Sequence, residues 1–208
     1  MWNFIVKGGP VMVPIIFCSI FGLAIILEKF YFLWRLKMDS SEFVQEIFRD
    51  LKANKPQKAL LFCEKNINYP LAAVLKIGIE RRSLPIERLE KILEQAGNNQ
   101  IQRLEKMLGA LASIIGIEPL LGFLGTITGL IRAFMTWEQA GANVTVNSLA
   151  LGIYEAMITT AAGLMVSIPF YLCYNYFISR IKYISVDLNN HGVQLLELIS
   201  ELKQEVKL

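Results

Sequence analysis

Long apolar runs with few charges flank a central stretch in which apolar and polar positions alternate at helical spacing, and this pattern lays out the elements. Between Lys7 and Glu28 the chain reads "GGPVMVPIIFCSIFGLAIIL", enough to cross a hydrocarbon core of roughly 30 Å as a helix. The run resumes after Glu28 and Lys29 as "FYFLW" with no small-residue cleavage site, so a retained first span is expected rather than a cleaved signal peptide. A second span is predicted over 107–136 and a third over 148–180, separated by the turn-like "EQAGANVTVN". The third is uncharged from Ser148 to Arg180 except at Glu155, and its length exceeds what a bilayer requires, so it is expected to protrude.

The intervening residues 35–106 read as a helical insertion. Asp39 with Glu42 resembles a capping box, while Asn54 before Pro56, then Pro70 and Pro85, mark further helix starts. "LPIERLEKILEQAGNNQIQRLEKMLGAL" keeps its apolar positions at helical spacing with no strong breaker, which predicts one long helix running on into the second span. At the other end Ile181, Ile184, Leu188, His191, Leu195, Leu198 and Leu202 step by 3 and 4, a heptad-like stripe that needs a partner. His191, the single histidine, interrupts it as a packed, hydrogen-bonded or pH-responsive group. The expected class is an all-α membrane protein of three transmembrane helices with long helical extensions. Its expected segments are 1–34, 35–106, 107–136, 137–147, 148–180 and 181–208.

Composition agrees: 54% of the 208 residues are hydrophobic and mean hydropathy is +0.43, above a soluble domain. A net charge of +3 without a basic run bearing aromatics argues against nucleic-acid binding. Cys18, Cys63 and Cys173 are widely spaced and odd in number, which suggests neither a disulfide framework nor a metal site, and they read as packing residues. No phosphate loop, dinucleotide fingerprint, metalloprotease motif or nucleophile elbow occurs. No enzyme activity and no cofactor are expected.

Charge matters by position. Residues 35–106 hold fourteen Lys/Arg and the tail after 179 holds four, against Lys7 at the N-terminus and none in 137–147. The positive-inside rule then places the N-terminus outside and the insertion and C-terminus in the cytoplasm. The sequon "NVT" at 143–145 is expected to be a turn.

Candidate chemistry lies in the second and third spans. Glu118, Gly122, Gly125, Gly129 and Arg132 step by 4, 3, 4 and 3 and share one stripe, with Thr126 at its edge. Glycines there permit close helix packing. Glu118 and Arg132 sit near opposite ends of the span, whereas Glu155 lies about two turns into the third span with no charge near it in sequence. On the third helix Glu155, Thr159 and Ala162 share one face, beside a ridge of Ala156, Thr160, Gly163 and Ser167. Such a surface faces another helix or a wet cavity rather than lipid.

"PLLGFLGTITGLIRAF" followed by "GIYEAMITTAAGLMVSIPFYLCYNYF" resembles the inner-membrane proton channel family of ExbB and TolQ, with the flagellar stator MotA a more distant relative. The resemblance implies a homopentameric ring whose pore holds single-span ExbD- or TolR-like partners that bring an aspartate. It further implies coupling of the proton-motive force to a TonB- or TolA-like protein. By the same resemblance Thr126, Glu155 and Thr160 line the proton pathway. Glu118 and Arg132 depart from the family pattern, and with Thr159 they are candidates for the pore or an interface, while Gly122, Gly125, Gly129 and Gly163 form the packing seam. The competing readings are a non-conducting membrane scaffold and a stator-like subunit.

Overall fold

The computed structural model describes residues 8–36, 40–140 and 146–205, and among them the chain is helical without a strand. The helices are α1 (Met12–Arg35), α2 (Ser40–Lys52), α3 (Pro56–Lys65), α4 (Pro70–Glu80), α5 (Ile86–Glu105), α6 (Leu108–Ala140) and α7 (Val146–Glu205). Three stretches of helix are long and apolar enough to cross a membrane. They lie in α1, α6 and α7, and the chain is a multi-pass membrane protein. It divides into two compact units, one of Met1–Tyr31 with Met107–Phe177 and the other of Phe32–Lys106 with Ile178–Leu208.

The first unit presents apolar side chains outward. Phe17 on α1, Phe123 on α6 and Met165 on α7 are 72%, 63% and 75% exposed. A water-soluble fold would bury such residues, and here they form the surface for lipid or neighbouring chains.

The second unit is built conventionally. Phe43, Val44 and Ile47 of α2 pack with Cys63 of α3, with Leu71, Leu75 and Ile79 of α4, and with Leu89 and Leu93 of α5. Phe43 stacks on Phe62 with ring centroids 5.1 Å apart and meets Tyr69 edge-on at 5.8 Å. Ion pairs Lys58–Asp50 at 3.1 Å and Lys76–Glu64 at 2.9 Å tie α3 to its neighbours at the rim. Leu188, Leu195, Leu198 and Ile199 of α7 belong to the same core, so the heptad-like stripe finds its partner within its own chain. His191 sits over that core between Asp187 (Nε2–Oδ1 3.3 Å) and Gln194 (Nδ1–Oε1 2.9 Å), and Ser40 Oγ donates to the same Asp187 oxygen at 3.2 Å.

One expectation of local structure is corrected. The uninterrupted helix through residue 106 into the second span is broken by the turn Lys106–Met107, where Met107 takes φ 67°. A left-handed conformation costs a residue with a Cβ about 1–2 kcal/mol, so neither glycine nor proline announces the break. Asn54 turns the chain at φ 55° just ahead of α3, and Lys55 occupies the cap of that helix without a side-chain bond. Helices do begin at Pro56 and Pro70, and Pro85 caps α5. The Asp39 half of the proposed capping box and the "NVT" turn lie outside the described residues.

Burial pushes the Cys63 thiol up to about 12. At neutral pH a maleimide is expected to label it only after denaturation, and native labelling at the denatured rate would contradict the closed core. Between the ordinary thiol range and about 12 the unfolded chain loses this proton while the folded chain keeps it, so this group's contribution to stability falls as pH rises.

Candidate functional site

In the first unit α6 and α7 run antiparallel with their backbones in close approach. The geometry is plain from what a Cβ would meet at each glycine. On Gly122 it would stand 3.0 Å from Thr159 O and Thr160 Cα, and on Gly129 2.9 Å from Ala156 N and Gly152 O. On Gly152 it would lie 2.8 Å from Gly129 O, and on Gly163 2.5 Å from Glu118 O. These neighbours are backbone atoms that cannot swing aside. At Gly125 a Cβ would overlap the Thr159 side chain, which the missing side chain leaves room to bury. Inside a bilayer, where apolar burial gives little drive for association, this closeness is what holds two helices together.

Polar groups thread the seam, each tied to backbone. Thr160 Oγ1 on α7 donates to Gly122 O on α6 at 3.0 Å, and Thr159 Oγ1 donates back to Ala156 O at 2.9 Å. Thr126 turns its hydroxyl to Phe123 O in its own helix. Pro119 lies inside α6, and having no N–H it leaves the carbonyl four residues earlier, that of Ile115, without a helical donor. Ser167 Oγ of α7 donates to that carbonyl at 3.2 Å. A hydroxyl of one helix thus meets the gap that proline opens in the other, the condition for tolerating proline at membrane depth.

Glu155 is not isolated. Arg132 Nη1 donates to its Oε1 at 2.7 Å, with the two side chains 49% and 16% exposed. A charge at membrane depth costs roughly 2.5–3.5 kcal/mol even on the lenient scale, and a short charge-assisted bond offsets part of it. Arg132 therefore leaves the glycine stripe it was grouped with, and Ala133 takes its place, buried against Gly152. The pairing has a signal in the sequence. Arg132 lies eight residues before the end of α6 at Ala140 and Glu155 nine after the start of α7 at Val146. Two helices joined by a short connection carry these opposite charges at equal depth.

Glu118 is the opposite case. It is 0% exposed, and neither carboxyl oxygen has a hydrogen-bond partner among the described residues. It is enclosed within its own unit and offers no surface to a pore or to a neighbouring subunit. The hydroxyls that flank it along the seam, those of Thr160 and Ser167, are already committed to Gly122 O and Ile115 O. No group of three or more His, Cys, Asp or Glu side chains is arranged to hold a metal ion among the described residues.

Residues 66–190 match the MotA/TolQ/ExbB proton channel family. The chain is 32% identical over 175 residues to a putative biopolymer transport protein, ExbB-like 1, of Synechocystis sp., covering 83% of this chain and 68% of that one. It is 35% identical over 100 residues to the Tol-Pal system protein TolQ of Haemophilus influenzae, covering 48% and 43% of the two chains. With the biopolymer transport protein ExbB of Neisseria gonorrhoeae it shares 34% identity over 111 residues, 52% of this chain and 49% of the relative.

Two substitutions test the seam. Gly129→Ala drives a methyl into the α7 backbone, so the helices must part, and a loss of about 1–3 kcal/mol is expected in thermal or denaturant unfolding in detergent. An unchanged midpoint would mean that the helices are not in backbone contact. Glu118→Met removes a buried carboxyl that has no hydrogen-bond partner among the described residues and keeps similar volume. It is expected to leave stability equal or higher, by up to about 4 kcal/mol, and a clear loss would reveal a partner for the carboxylate.

Proposed function

The chain belongs to the MotA/TolQ/ExbB proton channel family, and from that premise we propose that it is the channel subunit of an ExbB–ExbD or TolQ–TolR type motor. At the coarser level it is a motor-type membrane subunit coupled to the proton-motive force, from a channel and transport family rather than an enzyme family. The finer reading is a five-copy ring around single-span partners that each bring an acidic side chain. That ring drives a TonB- or TolA-like protein and hence an outer-membrane process such as TonB-dependent transport. The names of the relatives support it, for they are biopolymer transport and Tol-Pal proteins.

The observation that carries the reading is the Glu155 carboxylate held at 2.7 Å by Arg132 on a helix whose other side is a seam of glycine, alanine and threonine. In this reading Glu155 is the residue that exchanges protons with the partner's acid. Thr126 and Thr160 line the same pathway. The Thr160 hydroxyl spends its proton on Gly122 O and keeps lone pairs free to accept from a water or a protonated carboxyl. Thr159, buried on the seam, acts in packing. Orientation follows the cation count, with the N-terminus in the periplasm and residues 35–106, which hold fourteen Lys/Arg, in the cytoplasm.

The test is the full chain co-expressed with a single-span partner of this kind. Native mass in mild detergent is expected to give five copies plus partner chains, and a monomer or dimer that ignores the partner would favour a scaffold. Liposomes holding the complex are expected to pass protons down a pH gradient. Glu155→Gln should reduce that flux to the level of empty liposomes with the mass unchanged. Full flux in Glu155→Gln would remove the residue from the pathway.

A further inference from the structure

The "GGP" that precedes α1 has no part in the pathway described so far, yet it touches Glu155. Gly8 is buried and Gly9 half-buried. Gly9 takes φ 65°, a conformation open to glycine and strained for a residue with a Cβ. Pro10, with its fixed φ, leads into the helix. The Met12 N–H donates to Gly9 O and the Val13 N–H to Pro10 O, each at 3.2 Å, so this turn is the N-terminal lock of the first span.

A second fact about Gly9 is independent of its backbone angle. A Cβ there would overlap Oε1 and Cδ of Glu155 and stand 3.3 Å from Arg132 Nη1. The carboxylate therefore lies directly on bare backbone, with the guanidinium beside the same oxygen. The pair is unevenly buried: Glu155, covered by both turn and arginine, is 16% exposed, whereas Arg132 is 49% exposed.

We propose that the entry turn of the first span is a wall of the proton site, and that Gly9 is a positioning residue which seats the Glu155 carboxylate and keeps it within reach of Arg132. The proposal rests on the proton-channel reading for its functional consequence but not for the contact itself. All three spans then converge on one carboxylate. Displacing the turn changes how far Glu155 can reach while leaving every titratable group in place.

The contact is tested by a double-mutant cycle on the full chain, Gly9→Ala against Glu155→Ala, read as the unfolding midpoint in detergent. In the native background the added methyl meets the carboxylate. In the Glu155→Ala background it has room, and only the backbone penalty remains, so the loss is expected to fall by more than half. Equal losses in both backgrounds overturn the proposal. Should Gly9→Ala alone fail to fold, the double variant is expected to recover folding, and failure of both equally overturns it too. In the complex with its single-span partner, Gly9→Ala is expected to lower proton flux on the order of tenfold to a hundredfold, the scale of a reacting group displaced by about an ångström. Unchanged flux rejects the positioning role. Absence of flux in the unmutated complex would instead defeat the channel reading, with the stability cycle still deciding the contact.

Discussion

The backbone-to-backbone approach of α6 and α7 is the constraint on which the rest of the first unit depends. Only with the glycine and alanine positions facing each other can the Thr160 hydroxyl reach Gly122 O and the Ser167 hydroxyl reach Ile115 O. The same register brings Arg132 level with Glu155. Between lipid-facing helices there is little hydrophobic drive, so van der Waals contact and a few hydrogen bonds must supply the association. Larger side chains on this seam would part the helices and remove both at once.

The two carboxyl groups of the spans show how company, rather than residue type, determines what a group can do. Glu155 lies at the edge of the seam in contact with both a guanidinium and the Gly9 backbone. It is held, yet its counterion stays half open to the surroundings. Glu118 is fully buried, with neither carboxyl oxygen hydrogen-bonded among the described residues. Of the two, Glu155 alone has a counter-charge beside it among the described residues.

Much of this was legible in the chain. Three apolar runs with few charges foretell three spans, proline marks the starts of α3 and α4, and the stepped glycines point to a packing face. What periodicity does not carry is pairing between elements. Arg132 and Glu155 are 23 residues apart, and each reads as isolated until two helices are folded onto each other and their depths compared. The α7 stripe of Leu188, Leu195 and Leu198 shows that a partner is needed without saying which one, and the partner proves to be the chain's own α2–α5 core. The break at Met107 was hidden because a methionine in the left-handed region leaves no compositional mark. Gly9 was hidden for a different reason, since its use lies in what it leaves empty.

Pro119 and Ser167 have a consequence of another kind. Most contacts along a ridge of small residues are nearly interchangeable, so a pair of smooth helices has little to stop it slipping by a turn. Proline makes one carbonyl of α6 unlike its neighbours, and α7 meets it with a hydroxyl. A slip of one turn would abandon that carbonyl in hydrocarbon and leave the serine facing an oxygen already taken. The defect thereby works as an index mark, like the notch that sets two sliding scales to a single reading. Any machine built from this subunit must move α6 and α7 together, as one stave.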